Sequence, residues 1–90
     1  MQEQSMIEAA ILRLTAERGP DKSICPTDVA RAVMPGPGDA WRQKLSAVRR
    51  AAERLAQTGQ IEILRKGKLV EPVGVKGVIR LRQPAPSEAS

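Results

Sequence analysis

The chain has 90 residues, of which 41% are hydrophobic and 28% charged, with a net charge of +5, a single cysteine and no histidine. A chain this short buries only about 60–65% of the surface its unfolded form exposes, so it holds one modest core and no large substrate cavity. The composition excludes wholesale disorder, and no apolar run reaches the roughly 18 residues a membrane span needs.

A lone cysteine, Cys25, cannot staple the chain, and the start Met1-Gln2-Glu3-Gln4-Ser5 is not the basic opening of a signal peptide. Both fit a reducing, cytoplasmic setting.

The first predicted element is a helix over 5–18. Met6, Ile7, Ala10, Ile11 and Leu14 recur at helical spacing, and Ser5 with Glu8 reads as a capping box. Gly19-Pro20 ends it. Pro26 suits the first position of a second, short helix over 26–33 that buries Val29, Ala30 and Val33. Cys25 is expected to pack beneath this helix. The run Met34-Pro35-Gly36-Pro37-Gly38 forbids helix or strand.

Asp39 then caps the longest predicted helix, over 40–58. Along it Trp41, Leu45, Val48, Ala52 and Leu55 step by four and three, which keeps them on one meridian. Gly59 closes that helix. Beyond it the period drops to two. Ile61 and Ile63 alternate with Glu62 and Leu64, and Ile79 and Leu81 with Val78, Arg80 and Arg82. Two antiparallel strands, 60–65 and 78–82, are expected, with Lys68-Leu69-Val70 as a short strand inside their basic connection.

Three helices followed by an amphipathic hairpin give an α+β, mostly helical fold, a winged helix-turn-helix. The domain is expected to span 5–82, between a flexible start at 1–4 and a disordered tail at 83–90 that holds Pro84 and Pro86.

Several segments together resemble a family of small bacterial proteins known only as a domain of unknown function. They are Ser23-Ile24-Cys25-Pro26-Thr27-Asp28-Val29-Ala30-Arg31, Trp41-Arg42, Val48-Arg49 with Ala52, Leu55, Ala56 and Gly59, then Lys66-Gly67 and Lys76-Gly77-Val78-Ile79-Arg80-Leu81-Arg82. The resemblance covers about residues 5–82 and implies a winged-helix-like fold, but no activity. Val78 departs from the proline expected there, and Glu71-Pro72 from an Asp-Pro.

Charge points to function more than any motif does. Residues 1–40 carry four Lys/Arg against six acids, whereas residues 41–83 carry eleven against three. That asymmetry suggests one face meant for a polyanion. Catalysis is not expected, because histidine is absent and no phosphate-loop spacing occurs; neither a cofactor nor a metal is implied. With Trp41 the only aromatic residue, base stacking as in single-strand binders has no platform.

Double-stranded DNA needs none. On the long helix, opposite the buried stripe, Gln43, Ser46, Ala47, Arg50, Arg54 and Gln57, flanked by Arg42 and by Arg49 nearer the buried side, are candidates for the major groove, those in the N-terminal half foremost. Arg65, Lys66, Lys68 and Lys76, with Arg80 and Arg82 on the return strand, are candidate phosphate contacts on the wing. A purely solvated helix face, and edge-protecting lysines, would look the same in sequence. A different function, docking on an acidic protein partner, would leave Leu69, Val70, Val73 and Val75 exposed as a patch. A homodimer through the first helix or the wing stays open at this point.

Overall fold

The computed structural model describes residues 2–73 and 77–84. Three α-helices, α1 (Gln2–Arg18), α2 (Pro26–Val33) and α3 (Leu45–Gln57), pack with a small sheet of β1 (Ser23–Ile24), β2 (Glu62–Arg65), β3 (Lys68–Leu69) and β4 (Arg80–Arg82). The sheet is antiparallel throughout, in the order β1-β4-β2-β3.

Helix α1 begins three residues before the expected Ser5. Ser5 therefore lies inside the helix, and no capping box forms there; Glu8 instead accepts a hydrogen bond from Gln4 at 3.3 Å. Ile7, Ala10 and Ile11 enter the core, while Met6 stays 59% exposed. Thr15 joins the buried face, which hydropathy alone does not flag. Its hydroxyl donates to the carbonyls of Ile11 (2.8 Å) and Leu12 (3.1 Å), so burying it leaves no polar atom unsatisfied.

The entry to α2 is extended enough to pair with β4, which makes β1 a strand that two residues of sequence could not announce. Cys25 occupies the N-cap, and its backbone N–H donates to the Asp28 carboxylate at 3.0 Å. Pro26 stands at the start of the helix as its fixed φ favours. Cys25 is half-buried rather than sealed beneath the helix.

The long helix is divided. Residues Ala40–Lys44 form a 3-10 turn and the α-helix proper starts at Leu45. Asp39 precedes the turn but makes no side-chain cap; its carbonyl accepts from Arg42 N–H at 2.9 Å, and its carboxylate faces Arg42 Nε at 3.8 Å. A tighter first turn is common where a helix starts from a constrained loop. Val48, Ala51, Ala52 and Leu55 are buried, with Leu45 and Trp41 packed at the core edge. The helix ends as a Schellman motif: Gln60 N–H bonds the Leu55 carbonyl (2.9 Å) and Gly59 N–H the Ala56 carbonyl (3.1 Å).

Strands β2 and β4 pair as expected, Ile63 opposite Leu81, though both are shorter than predicted. Ile61, Ile63, Ile79 and Leu81 all turn into the core. Leu64, expected outside, is also buried and lies opposite Leu69. Between β2 and β3, Lys66 (φ 54°) and Gly67 (φ 80°) make a two-residue turn with both φ positive. That is type I′ geometry, whose twist matches the flanking strands and whose second position suits glycine. Among the described residues no helix is long and apolar enough to cross a membrane.

Candidate nucleic-acid interface

The side chains of α3 divide by direction. Taking about 100° per residue, Ser46, Arg50, Glu53 and Gln57 lie opposite Val48 and Leu55. Ser46, Arg50 and Gln57 are exposed, as is Gln43 on the preceding turn. Ala47 is not part of that face: it is half-buried and its methyl packs on the core, on the flank toward α1.

The cations flanking this face differ in their partners. Toward α1, Lys44 pairs with Glu3 and Arg54 with Glu8 at 3.7 Å. Lys44 both hydrogen-bonds Glu3 and attracts it by charge, which holds the Glu3 carboxyl below the usual carboxylate range. Arg42, 64% exposed, meets Asp39 and lies over the Trp41 ring at 4.7 Å. Arg50, Arg65, Lys66 and Lys68 have no carboxylate partner among the described residues. Lys76 lies outside the described residues, as do Val75 and the 85–90 part of the tail.

Gly77 ties the two ends of this surface together. Arg49 Nη1 donates to the Gly77 carbonyl at 3.0 Å, which fastens α3 to the segment leading back into β4. A Cβ built on Gly77 would come within 3.2 Å of the Arg65 guanidinium, so Arg65 lies directly across this glycine. Its φ of +83° is one that side-chain-bearing residues rarely adopt. Thus Arg49, from the helix, and Arg65, from the end of β2, converge on one backbone position. Cation spacing along the sequence gave no sign of this convergence.

The remaining basic residues of β4 hold the sheet. Arg80 donates to the Ser23 hydroxyl (2.7 Å) and carbonyl (2.8 Å), and Arg82 forks onto Glu62 at 2.5 and 2.9 Å. These bonds fix β1 and β2 to either side of β4.

Large apolar side chains are exposed on β3 and on either side of the approach to β4. Leu69 is 60% exposed, Val73 65% and Val78 84%, while Val70 folds back against the core. The basic turn at Lys66–Lys68 therefore adjoins apolar side chains in water. No group of three or more His, Cys, Asp or Glu that could hold a metal occurs among the described residues.

No curated protein matches this chain. A family profile, described as protein of unknown function (DUF3253), matches residues 4–84, nearly the whole of the described structure. The chain belongs to that family.

Proposed function

We propose that the chain is a winged helix-turn-helix domain that binds double-stranded DNA, with α3 facing the major groove and the β2–β3 turn on the backbone. The order α1-β1-α2-α3 followed by strands, with β4 seated between β1 and β2, supports the winged reading. In it α2, the 34–39 turn and α3 are the helix-turn-helix, and β2, β3 and β4 carry the wing. The observation that carries the DNA reading is the set of cations without carboxylate partners: Arg50 on the outer face of α3 and Arg65, Lys66 and Lys68 at the wing. Ser46 in the first turn of α3 and Gln43 on the 3-10 turn before it are exposed near Arg50, and both side chains can hydrogen-bond base edges. The tie from Arg49 to Gly77 holds helix and wing in one register, as simultaneous contact with groove and backbone requires.

Anisotropy of a fluorescent random duplex across a salt series, with Arg50→Ala/Lys66→Ala/Lys68→Ala alongside, tests this. Affinity should fall linearly on a log–log salt plot, with a slope of about −0.9 per phosphate contact, and the triple variant should flatten it by about 3. A folded protein that leaves the duplex free at low salt refutes the reading.

Exposed Leu69, Val73 and Val78 favour a second reading, docking of the wing on a protein partner. Under it, Leu69→Ser and Val78→Ser abolish partner capture while duplex binding is absent throughout.

A further inference from the structure

At the edge of the core, Trp41 and the two arginines beside it form a cluster distinct from the outer face of α3. Arg31 in the last turn of α2 and Arg42 in the 3-10 turn each place their guanidinium carbon 4.7 Å from the Trp41 ring centroid. Together with Met34, Pro35, Gly36, Gly38 and Asp39 they line a shallow depression of about 460 Å³. The site therefore lies at the turn between α2 and α3, beside the N-terminal end of the proposed reading helix.

Two like charges beside one ring repel each other, and stacking on the indole offsets that repulsion without neutralising either charge. The local anion is insufficient. Asp39 reaches only Nε of Arg42, at 3.8 Å and from a side chain 79% exposed, and Arg31 has no carboxylate partner among the described residues. An excess positive charge is thus held at an open depression. The indole also limits the arginine rotamers, so part of the entropy of ordering two long side chains has already been lost before a ligand arrives. Guanidinium groups pair best with the forked oxygens of carboxylate or phosphate.

We infer that Arg31 and Arg42, braced on Trp41, clamp a backbone phosphodiester of the duplex at the edge of the groove that α3 enters. The inference rests on the DNA reading, in which the first helix of the helix-turn-helix crosses the backbone. It adds Arg31 to the interface and moves Arg42 from base reading to phosphate binding.

Trp41 makes the test direct, because the chain has no other tryptophan and no tyrosine. Intrinsic emission therefore reports on this cluster alone. Wild type, Arg31→Gln and Arg42→Gln are titrated with a short labelled duplex, following both label anisotropy and tryptophan emission, and separately with pyrophosphate. Circular dichroism melts confirm that the variants fold, as expected for two exposed side chains. The expected result is a duplex-induced change in Trp41 emission that Arg31→Gln largely removes, with the salt slope reduced by about 1 in each variant. Duplex binding with an unaltered slope in Arg31→Gln and no emission change overturns the clamp and leaves the DNA reading standing. Absence of duplex binding by anisotropy overturns both. An emission change with pyrophosphate but none with duplex also overturns the clamp, and assigns the depression to a small phosphorylated ligand.

Discussion

On the flank of α3 that faces α1, each cation meets a carboxylate: Lys44 meets Glu3, and Arg54 meets Glu8. On its outer face and across to the β2–β3 turn, Arg50, Arg65, Lys66 and Lys68 meet none among the described residues. The two groups are alike in sequence, and Arg50 and Arg54 stand only one helical turn apart. What separates them is whether an acidic helix lies alongside. Helix α1 supplies two acids, Glu3 and Glu8, to one flank of the basic second half. The positive field is thereby concentrated on the other side, where a polyanion can approach.

The sharpest test of this difference compares two variants of equal net charge, each one positive charge below wild type. Arg50→Gln should weaken duplex binding at low salt by about tenfold and lower the log–log salt slope by about 1, whereas Arg54→Gln should leave the slope within error of wild type. Equal losses would show that total charge, not its placement, sets affinity.

Next in size is the fork between Arg82 and Glu62, whose side chains are 29% and 23% exposed. Glu62→Gln should cost about 1 kcal/mol in urea unfolding, less than a buried pair because water still screens it, and should leave duplex affinity unchanged. Tighter binding instead would place the freed Arg82 among the contacts. A similar cost, about 1 kcal/mol, is expected for Gly77→Ala, from its positive φ. The methyl would also push the end of the Arg65 side chain aside. Duplex affinity should fall with it, and a variant that loses stability without losing affinity would detach the Arg49–Gly77 tie from function.

The smallest effect concerns Glu3, whose carboxyl is held low by Lys44. A depressed folded-state pKa gives stability that is present above the unfolded pKa and lost as pH falls through the folded value. Glu3→Gln should therefore be slightly less stable than wild type at neutral pH and equal to it in acid below the folded pKa. Thermal melts between neutral pH and the acid limit check this. A difference that persists unchanged in acid would mean that the Glu3–Lys44 pair does not act through charge.

The helices and the β2–β4 pairing were legible because their periods differ: Val48, Ala52 and Leu55 repeat at helical spacing, and Ile61, Ile63, Ile79 and Leu81 alternate. Helix ends were legible where glycine closes them, at Gly19 and Gly59, whose amides bond back to Thr15 and Ala56. The start of α1 was not, since Ser5 offered a capping signal that a longer helix overrode. Likewise Asp39 resembled a cap for one long helix, while the Pro-Gly loop leads instead into a 3-10 turn. Strand β1 was invisible because two residues carry no period, and its pairing exists only once β4 lies beside it. Of the candidate site residues, the exposure of Gln43, Ser46 and Arg50 followed from the helical wheel. The partial burial of Ala47, the pairing of Arg54 and the stacking of Arg31 did not.

Local chemistry in the sequence was enough for element type, for most of the core and for the uneven distribution of charge. Backbone propensity and hydrophobic period act over a few residues and need no knowledge of distant neighbours. The partners of Arg49, Arg80 and Arg82 were decided by tertiary structure alone. A guanidinium on a long, flexible stem takes whatever acceptor or ring the packing of other elements brings within reach. In this chain those partners stand 28 residues away at Gly77, 57 at Ser23 and 20 at Glu62.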